Sequence, residues 1–566
     1  MNIENSAIKN EESLIDFPDN ITLKNINFIN WSKEIKANNI QCCIPKSDKE
    51  VLAVVNWAGK QNYKLRVVGE SHNWSPLIIS SNNQATNRTL LMDLTQYFSQ
   101  ISIKHLPEYS IVTAQTGILM ETLMTKMEEQ GIGFTATPAP GDLTLGGVLA
   151  IGGHGTSIKA LNETPQSGHT YGSLSNTILS LTAVVWDEKS EQYIIKRFKR
   201  NEPDCAPLLV HLGCSLILNA ELQAGKNQRL QCESMTHISA TELFAETFAE
   251  TFAKKPDDKN KRTFSSFLDA GGRAEAILFP FTEKPWLKVW RIAPEKPQAS
   301  TDVTHPYNYP FSDNIPVQLS DLAKEITHLT PALTPLFGQL QFSLTESALL
   351  TGKKDLWGWS KNVLLYVKPT TLRVTANGYA ILTSRNTIQK VLNRFYSQWK
   401  TLIKEYQNHG KFPVNGPIEI RVSGLDTPAE VVQADAVVPS LSAIRPRPDK
   451  PQWDVAIWLD VLTLPDTKYA AEFYHQLEQW MFKEFDDSYA SIRVEWSKGW
   501  AYSENAAWDE NEILTQRIPA SLTDGLPVDN NWYSAINTLK KFDPHGVFRS
   551  PLLDKLLSAA NFRTQK

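Results

Sequence analysis

The sequence predicts an α+β protein in which a mixed N-terminal domain precedes a larger domain built on an antiparallel sheet with helices on one face. Residues 20–225 alternate short apolar strands with short helices and carry two glycine-dense loops. From about residue 226 the strands are longer, amphipathic helices separate them, and nothing repeats at a fixed period. We therefore expect a loose arm at 1–20, a first domain at 21–225, a second domain at 226–495 and a tail at 496–566.

Charge and hydropathy exclude several classes of partner. The 566 residues include 57 Lys and Arg against 61 Asp and Glu, whereas nucleic-acid-binding proteins usually show a basic excess. No stretch approaches the roughly 20 apolar residues that span a bilayer. The first 20 residues are polar and acidic and show no signal peptide, but a signal removed and replaced by methionine would leave the same sequence, so export stays open. The odd set of cysteines, which lacks a C-x-x-C pair, is predicted to fill apolar gaps: Cys42, Cys43, Cys205, Cys214 and Cys232.

Hydrophobic periodicity and helix caps predict the elements of the first domain. Ser47 precedes Glu50 by three residues, which is a capping box, and an apolar stripe follows. Gly131 closes the second helix. The predicted helices are Val51–Gln61 and Met120–Gln130, and the predicted strands are Leu65–Val68, Leu90–Leu94, Ser110–Gln115 and Thr177–Trp186, followed by an apolar segment at Leu208–Leu218 that contains Gly213.

The same reasoning gives the second domain. Its predicted strands are Ala274–Phe281, Asn362–Lys368, Leu372–Leu382, Pro417–Val422 and Trp453–Leu462, and its predicted helices are Leu319–Leu329, Thr387–His409 and Thr467–Asp486. The Pro-rich stretch Val438–Pro451 is predicted to be a loop over the surface, and the tail is predicted to end in a turn and a short helix.

Two glycine loops carry the first functional signal. The strand ending at Val68 runs into Gly69, with His72 at the tip of the loop, and a second loop extends from residue 138 to residue 157. A glycine in such a loop either permits a tight turn or lets backbone N–H groups approach an anion. Neither loop is a Walker A motif or a G-x-G-x-x-G, but the second is dense in glycine and both hold hydroxyl or amide donors: Ser71, Asn73, Thr144, Thr156 and Ser157. Together they predict two backbone clamps on one pyrophosphate.

The two motifs resemble the FAD-binding domain of the vanillyl-alcohol oxidase and p-cresol methylhydroxylase (PCMH) superfamily. Its first-loop form, G-x-G/S-H-S/N-W/F, corresponds to residues 69–74, and its T-L-G-G and G-G-H-G-T-S forms correspond to residues 144–157. The resemblance covers about 30–225 and implies a two-subdomain PCMH-type FAD domain, to which the tail returns. It implies these cofactor-binding residues: Gly69, Glu70, Ser71, His72, Asn73, Trp74, Pro140, Gly141, Asp142, Thr144, Gly146, Gly147, Gly152, Gly153, His154, Gly155, Ser157, Ile178 and Lys498.

Two histidines receive different expectations from this resemblance. In the superfamily the first-loop histidine often bonds to the flavin 8α-methyl group, so His72 is expected to hold FAD covalently. The residues alone also allow two alternatives, a turn residue and a general base. His154 is expected to pack against the cofactor.

A carboxylate and a guanidinium two positions apart are the main catalytic candidates. Glu419 and Arg421 project to the same side of a predicted strand. Such a pair is often only a surface ion pair of little energetic value. This E-x-R, however, resembles the catalytic pair of alditol oxidases and of the type II, covalent-FAD cholesterol oxidases. That resemblance makes Glu419 the general base and Arg421 the stabiliser of the alkoxide.

Three further positions are candidates. Glu275 lies on a strand that the family places beside the flavin. It is either a functional residue, catalytic or lining a gate, or the solvated end of a strand. Residues 495–498 resemble the H-W-G-K of sugar and aldonolactone oxidases, so Lys498 is expected to contact the isoalloxazine. Glu495 and Ser497 replace the histidine and glycine of that motif, which argues against a sugar substrate. Asp460 either faces the cavity or is a buried structural aspartate.

Taken together, the chain most resembles the type II cholesterol oxidases. The resemblance implies an FAD-dependent enzyme that oxidises the 3β-hydroxyl of cholesterol with O2, yields hydrogen peroxide and shifts the Δ5 double bond to Δ4, with Glu419 or Glu275 moving the proton. Aromatic residues spread through the second domain favour a bulky apolar alcohol. The alternatives are an alditol or aldonolactone oxidase and a non-catalytic lipid-binding protein. We expect a secreted monomer that touches membranes transiently, with no metal site and no nucleic acid, and a cytoplasmic location stays open.

Overall fold

The computed structural model describes residues 14–81, 88–246, 262–309, 322–323, 325–326, 329–368 and 372–558. Residues 1–13 of the predicted arm and much of the predicted helix Leu319–Leu329 therefore lie outside the described residues. Within the described ranges, no helix combines the length and the apolar character needed to cross a bilayer.

Two sheets build the N-terminal part of the fold. The first has the order β1-β2-β4-β3, with parallel pairing of β2 with β4 and of β3 with β4, and the second is antiparallel with the order β5-β6-β10-β8-β9 and β7 beside β10. The strands are β1 Thr22–Ile29, β2 Lys36–Ile44, β3 Lys64–Val68, β4 Thr89–Asp93, β5 Ile101–His105, β6 Ser110–Gln115, β7 Ile132–Gly133, β8 Ile178–Asp187, β9 Gln192–Lys199 and β10 Leu216–Lys226.

A nine-stranded sheet forms the second part. Its order is β14-β15-β11-β13-β12-β17-β18-β16-β19, and it is antiparallel except where β14 pairs with β15. The strands are β11 Arg229–Met235, β12 Arg273–Leu278, β13 Trp286–Ile292, β14 Thr301–Val303, β15 Asp355–Trp359, β16 Thr375–Thr383, β17 Ile418–Gly424, β18 Val455–Thr463 and β19 Ala490–Val494.

The helices cover the sheets and close the chain. They are α1 Asp48–Gln61, α2 Met120–Glu129, α3 Leu145–Ala150, α4 Ala206–Leu209, α5 Ala240–Leu243, α6 Phe264–Gly271, α7 Thr334–Thr351, α8 Ser360–Leu364, α9 Ile388–Asn408, α10 Ala470–Glu484, α11 Ile518–Ser521, α12 Trp532–Phe542 and α13 Pro551–Ser558, with a π-helix at Ile513–Arg517. Helix α1 begins three residues earlier than the sequence predicted. The Ser47 hydroxyl caps the Glu50 N–H, while the Glu50 carboxylate accepts from the N–H of Lys46 instead of that of Ser47.

The large sheet has one face in the core and one face free for chemistry. Strand β17 alternates, so that Ile418, Ile420 and Val422 join the apolar core formed with helices α9 and α10. Glu419 and Arg421 point to the opposite face. The α+β architecture with helices on one face of an antiparallel sheet is therefore confirmed.

Two sequence predictions for the second part are wrong. Residues 362–368, predicted as a strand, begin inside helix α8, because periodicity cannot separate a short buried apolar run into strand or helix. The stretch 438–451 is indeed a loop, but most of its first half is buried. Buried side chains satisfy its carbonyl groups: Arg493 bonds Arg445 O at 2.8 Å, and Trp496 bonds Leu441 O at 2.7 Å.

Candidate active site

A cavity of about 500 Å³ lies between the two glycine loops and the free face of the nine-stranded sheet. This volume is in the usual range for small-molecule sites. The residues singled out from the sequence that line it are Gly69, Glu70, Ser71, His72, Asn73, Trp74, Pro140, Thr144, Gly146, Gly147, Gly152, Gly153, His154, Glu275, Glu419, Arg421, Glu495 and Lys498.

Five of the predicted cofactor residues lie behind this wall. Gly141, Asp142, Gly155, Ser157 and Ile178 are not among the cavity-lining residues. Ile178 begins strand β8 and is buried in the apolar core, so its side chain faces away from the cavity. The group supports the site without forming its surface.

The first loop offers free backbone donors. Residues 70–73 line the cavity, and their N–H groups donate no hydrogen bond to any residue that the structure describes. Gly69 is needed because a Cβ there would lie 2.4 Å from the Thr144 hydroxyl, which forms part of the second loop. Close approach of the two loops therefore depends on the missing side chain, and it leaves a row of N–H groups open to an anion.

Three glycines of the second loop supply room instead of donors. The Gly146 N–H bonds Thr116 O at 2.8 Å, and the Gly147 N–H bonds the hydroxyl of Thr144, which caps helix α3. The Gly153 N–H is likewise bonded within the protein, to Val148 O. The free donors of the first loop therefore support the predicted backbone clamp. The N–H groups of these three glycines in the second loop do not, because they are already bonded to the protein.

The end of the second loop is bonded to the catalytic strand. The Ser157 N–H donates to Val422 O at 2.9 Å, and the Gly424 N–H donates to Ser157 O at 2.8 Å. The Thr156 hydroxyl lies 2.8 Å from Ala274 O and 2.9 Å from Val422 O. These bonds fix the glycine loops relative to strands β12 and β17.

His72 has a carboxylate partner. Its Nε2 lies 3.0 Å from Asp142 Oδ2, and its ring stacks on Trp31 at 5.7 Å. Burial acts to raise the pKa of Asp142, but the hydrogen bond and the charge of His72 outweigh it, and the pKa lies below its ordinary value. Nδ1 is left without a hydrogen bond to the described residues.

The register of the sheet assembles the acidic and basic side chains. Glu275 on β12 lies opposite Arg421 on β17, and Glu419 lies opposite Asp460 on β18. Arg421 Nη1 is 3.1 Å from both Glu275 Oε1 and Glu419 Oε2, while its Nη2 bonds Asp460 Oδ2. Three carboxyl groups thus hold one guanidinium in place.

Glu275 is immobilised on its other side as well. Lys288 Nζ lies 2.8 Å from its Oε2, and the Tyr366 hydroxyl donates to the same oxygen at 2.7 Å. Burial acts to raise the pKa of Glu275, but the charges of Lys288 and Arg421 outweigh it and lower the pKa. The side chain of Glu275 is only 1% exposed, whereas that of Glu419 is 21% exposed. Glu419 is therefore the carboxylate that a ligand can reach.

A second buried group lies beneath Arg421. Lys498 Nζ is 3.2 Å from Asp460 Oδ2 and 4.0 Å from Glu495 Oε1. His154 from the second loop stacks on Trp458 at 3.4 Å and places its Nε2 3.6 Å from Glu495 Oε1. Asp460 is fully buried and does not line the cavity, so of the two alternatives it is a buried aspartate.

The far wall of the cavity is apolar. Ile277 and Phe279 continue the face of β12 beyond Glu275, and Trp286 and Tyr309 lie beside them. Helix α7 contributes Leu344 together with Gln341 and Thr345, and the ends of strands β16 and β18 contribute further side chains. This wall is therefore mainly apolar, and the charged cluster around Arg421 lies at the opposite end of the cavity.

Sequence reasoning missed Lys288 and Tyr366. Strand β13 was not predicted, although the alternation of Trp286, Lys288 and Trp290 places a lysine between two tryptophans on one strand face. That pattern was the available signal. Tyr366 fell in the segment wrongly predicted as a strand.

The residues of the cavity fit a flavin dinucleotide. The free N–H groups of residues 70–73 suit a pyrophosphate. Lys498 suits an electron-rich ring edge, because Asp460 and Glu495 raise its pKa although burial acts to lower it. A Cβ at Gly147 would meet only the Thr144 hydroxyl, so this part of the groove is free of side chains.

Comparison with known families agrees with this geometry. A family model described as "Cholesterol oxidase, substrate-binding" matches residues 229–558, and one described as "FAD binding domain" matches residues 41–190. The former covers more than half of the chain.

Solved structures and curated relatives give a consistent result. A structure described as a solvent-stable cholesterol oxidase is 50% identical with a TM-score of 0.93, covering 96% of this chain and 99% of that one. A cholesterol oxidase from B. sterolicum is 40% identical with a TM-score of 0.92, covering 97% and 100%. L-Gulonolactone oxidase of Mus musculus is 28% identical over 206 residues, 35% of this chain. This chain spans 40% of the length of that relative.

We predict that Lys288→Met lowers the free energy of unfolding by roughly 3 kcal/mol, because it leaves the buried Glu275 facing fewer cations. Urea unfolding followed by tryptophan fluorescence measures the change. The double variant Glu275→Gln/Lys288→Met should recover part of the loss. Lys126→Met, which breaks an exposed ion pair with Glu129, is the control and should change stability by less than about 1 kcal/mol. A Lys288→Met protein as stable as the parent would contradict this account.

Proposed function

The chain belongs to the cholesterol oxidase family and uses FAD, and from this premise we propose that it oxidises the 3β-hydroxyl group of cholesterol to a ketone, reducing O2 to hydrogen peroxide. The observation that carries the proposal is the Glu419–Arg421 pair, which lies at the polar end of a cavity whose far wall is apolar.

The side chains divide the reaction between them. Bound FAD, which the first glycine loop and Lys498 would hold, would supply the acceptor for the hydride of carbon 3 and the route for its electrons to O2. Glu419 takes the hydroxyl proton: Arg421 holds its Oε2, and its Oε1 makes no hydrogen bond to the described residues. The guanidinium of Arg421 stabilises the negative charge that develops on the substrate oxygen.

We assign the shift of the Δ5 double bond to the same base. Moving the proton from carbon 4 to carbon 6 requires a carboxyl group that reaches the ring and can exchange its proton. Glu275 is buried and held by Arg421, Lys288 and Tyr366, and its lowered pKa opposes protonation. Glu419 is freer, so it is the better candidate of the two.

The shape of the site favours a sterol over a polyol. An alditol would need hydrogen-bonding partners along its whole length, and the far wall offers Ile277, Phe279 and Leu344 instead. The residues at 495 and 497 also differ from the sugar-oxidase motif. The L-gulonolactone oxidases of Mus musculus and Bos taurus match only 35% and 37% of this chain.

We further propose that His72 binds FAD covalently through Nδ1, since Asp142 accepts from Nε2–H and so favours the tautomer that leaves the lone pair on Nδ1. The loop residues 69–74, the second glycine loop and Lys498 remain our proposed cofactor contacts. Residues 21–225 with the tail would form the FAD domain, and residues 226–495 the substrate domain.

Helix α7 is the proposed contact with the membrane in which sterols reside. It presents Leu336 and Leu350 to solvent at 53% and 75% exposure, while Leu344 of the same helix lines the cavity. A transient contact of this face would let the substrate pass from lipid to cavity. We propose a secreted monomer that works at such a surface.

Glu419→Gln is expected to reduce cholesterol turnover by a factor of at least about 100, because the general base is lost, while flavin remains bound. Peroxide production and flavin absorbance measure the two properties. The variant should also fail to isomerise supplied cholest-5-en-3-one, whereas folded Glu275→Gln should retain that step. Full oxidation by Glu419→Gln, or faster turnover of xylitol than of cholesterol by the parent, would contradict the proposal.

Intact-mass measurement and tryptic mapping should find FAD on the peptide that contains His72. His72→Ala should bind flavin that acid precipitation releases, and Asp142→Asn should incorporate less covalent flavin, because the orientation of the imidazole is lost. The peptide with His154 serves as the internal control and should carry no added mass. Flavin on any other peptide, or none bound covalently, would refute the linkage.

Sedimentation with sterol-containing vesicles tests the membrane contact. The parent should cosediment weakly, and Leu336→Ser/Leu350→Ser should cosediment less, because less apolar surface enters the lipid. Turnover of detergent-solubilised cholesterol should be unchanged. Equal sedimentation of both proteins would reject this face, and a dimer in analytical ultracentrifugation would reject the monomer.

A further inference from the structure

Two carboxyl groups with unpaired oxygens meet beneath Arg421. Asp460 Oδ2 accepts from Arg421 and lies near Lys498 Nζ, but its Oδ1 is buried and has no hydrogen-bond partner among the described residues. Glu495 Oε2 is also buried without a partner in the described part of the chain. A Cβ on Gly378 would lie 2.6 Å from Asp460 Oδ1 and 3.0 Å from Glu495 Oε2, so both oxygens converge on the space that this glycine leaves open.

The Lys, Arg, Asp and Glu side chains linked by ion pairs around this space include one more carboxyl group than cations. The connected side chains are four carboxyl groups and three cations: Glu275, Glu419, Asp460 and Glu495 against Lys288, Arg421 and Lys498. His154, which faces Glu495 from the second loop, completes the titratable groups around the pair. Counted without His154, the four carboxyl groups and three cations are neutral overall when the carboxyl groups hold one proton.

The location of that proton follows from the unpaired oxygens. A buried carboxylate oxygen without a donor is costly, and two ionised carboxylates that border one small space repel. A proton on Asp460 Oδ1 that is directed toward Glu495 Oε2 would satisfy both. In agreement, burial and the charge of Glu495 raise the pKa of Asp460 to about 7. Burial also acts to raise the pKa of Glu495, but Lys498 and His154 outweigh it and lower this pKa.

We propose that Asp460 and Glu495 hold one proton between them and that this proton keeps the charge of Arg421 available to the substrate oxygen. Asp460 is a positioning residue in this scheme, because it acts only through Arg421. The consequence for turnover rests on the proposed function, whereas the shared proton itself does not.

Loss of the proton changes what Arg421 can do. An ionised Asp460 binds Nη2 more strongly and offsets more of the guanidinium charge, so the developing alkoxide is stabilised less. The pair titrates as a unit. In the parent protein kcat/KM for cholesterol should therefore fall as the pH rises through neutrality.

Infrared spectroscopy tests the proton without turnover. Asp460→Asn keeps an oxygen for Arg421 and Lys498 and supplies an N–H to Glu495. The difference spectrum between the parent and this variant, recorded slightly below neutral pH, should contain one protonated-carboxyl C=O band that shifts in D2O. Protonated carboxyls elsewhere, such as Glu430 and Glu478, cancel in the difference. If the difference spectrum lacks the band, the proposal fails, whatever the substrate proves to be.

The pH profile tests the link to Arg421. Asp460→Asn should lose the fall in kcat/KM above neutral pH, and Glu495→Gln should move it to lower pH, because the neighbouring negative charge is gone. Glu430→Gln is the matched control, since burial also raises the pKa of Glu430 to about 7 but this residue is not on the cavity wall. An Asp460→Asn profile with the parent's alkaline fall would overturn the link. A parent inactive on cholesterol would refute the proposed function but leave the infrared result intact.

Stability gives a third, independent readout. Because the folded state raises the pKa of Asp460 from 3.8 to about 7, the parent loses stability as the pH rises through this interval. Asp460→Asn has no such proton to lose. The melting temperature of the variant minus that of the parent should therefore increase as the pH is raised from about 5 to about 8. A difference that is constant with pH contradicts the shared proton, and Glu495→Gln gives the same comparison if Asp460→Asn does not fold.

Discussion

The hydrogen bonds that join the second glycine loop to strand β17 are the constraint on which the site depends. Ser157 pairs with this strand through its N–H and its carbonyl, and the Thr156 hydroxyl lies against carbonyl oxygens of both β12 and β17. Glu419 and Arg421 belong to the same strand. The distance from the glycine loops to the catalytic pair is therefore set by backbone pairing, which varies far less than a contact between flexible side chains.

The same strand arrangement explains how so many charges tolerate burial. Cross-strand neighbours in the register alternate in sign, so that Lys288, Glu275 and Arg421 follow each other across β13, β12 and β17. Each charge is close to an opposite one and receives hydrogen bonds, which offsets the cost of desolvation. Glu419 lies two residues from Arg421 on β17, and with 21% of its side chain exposed it is the carboxylate that a substrate can approach.

Comparison of the two glycine loops shows that similar sequence motifs can contribute differently. The N–H groups of residues 70–73 are open to a ligand, whereas those of Gly146, Gly147 and Gly153 are bonded to the protein itself. The second loop contributes instead by leaving space beside Thr144 and by carrying His154 to Trp458 and Glu495. Glycine density in a sequence therefore indicates close packing without specifying what is packed.

Local signals in the sequence were sufficient for the α+β class, the glycine loops and the placing of Glu419 and Arg421 on one face of a strand, because alternation, capping and glycine content act over a few residues. They could not show that Ser360–Leu364 is a helix, since a short apolar run suits a strand or a helix. They also misjudged the burial of the loop around Leu441, because its carbonyl groups are bonded by distant side chains such as Trp496. The partners of the catalytic pair were also beyond them. Lys288, Tyr366 and Asp460 meet Glu275 or Arg421 only through strand register and loop packing, and these contacts join residues that are far apart in the chain. Only the tertiary structure could therefore show which charges are paired.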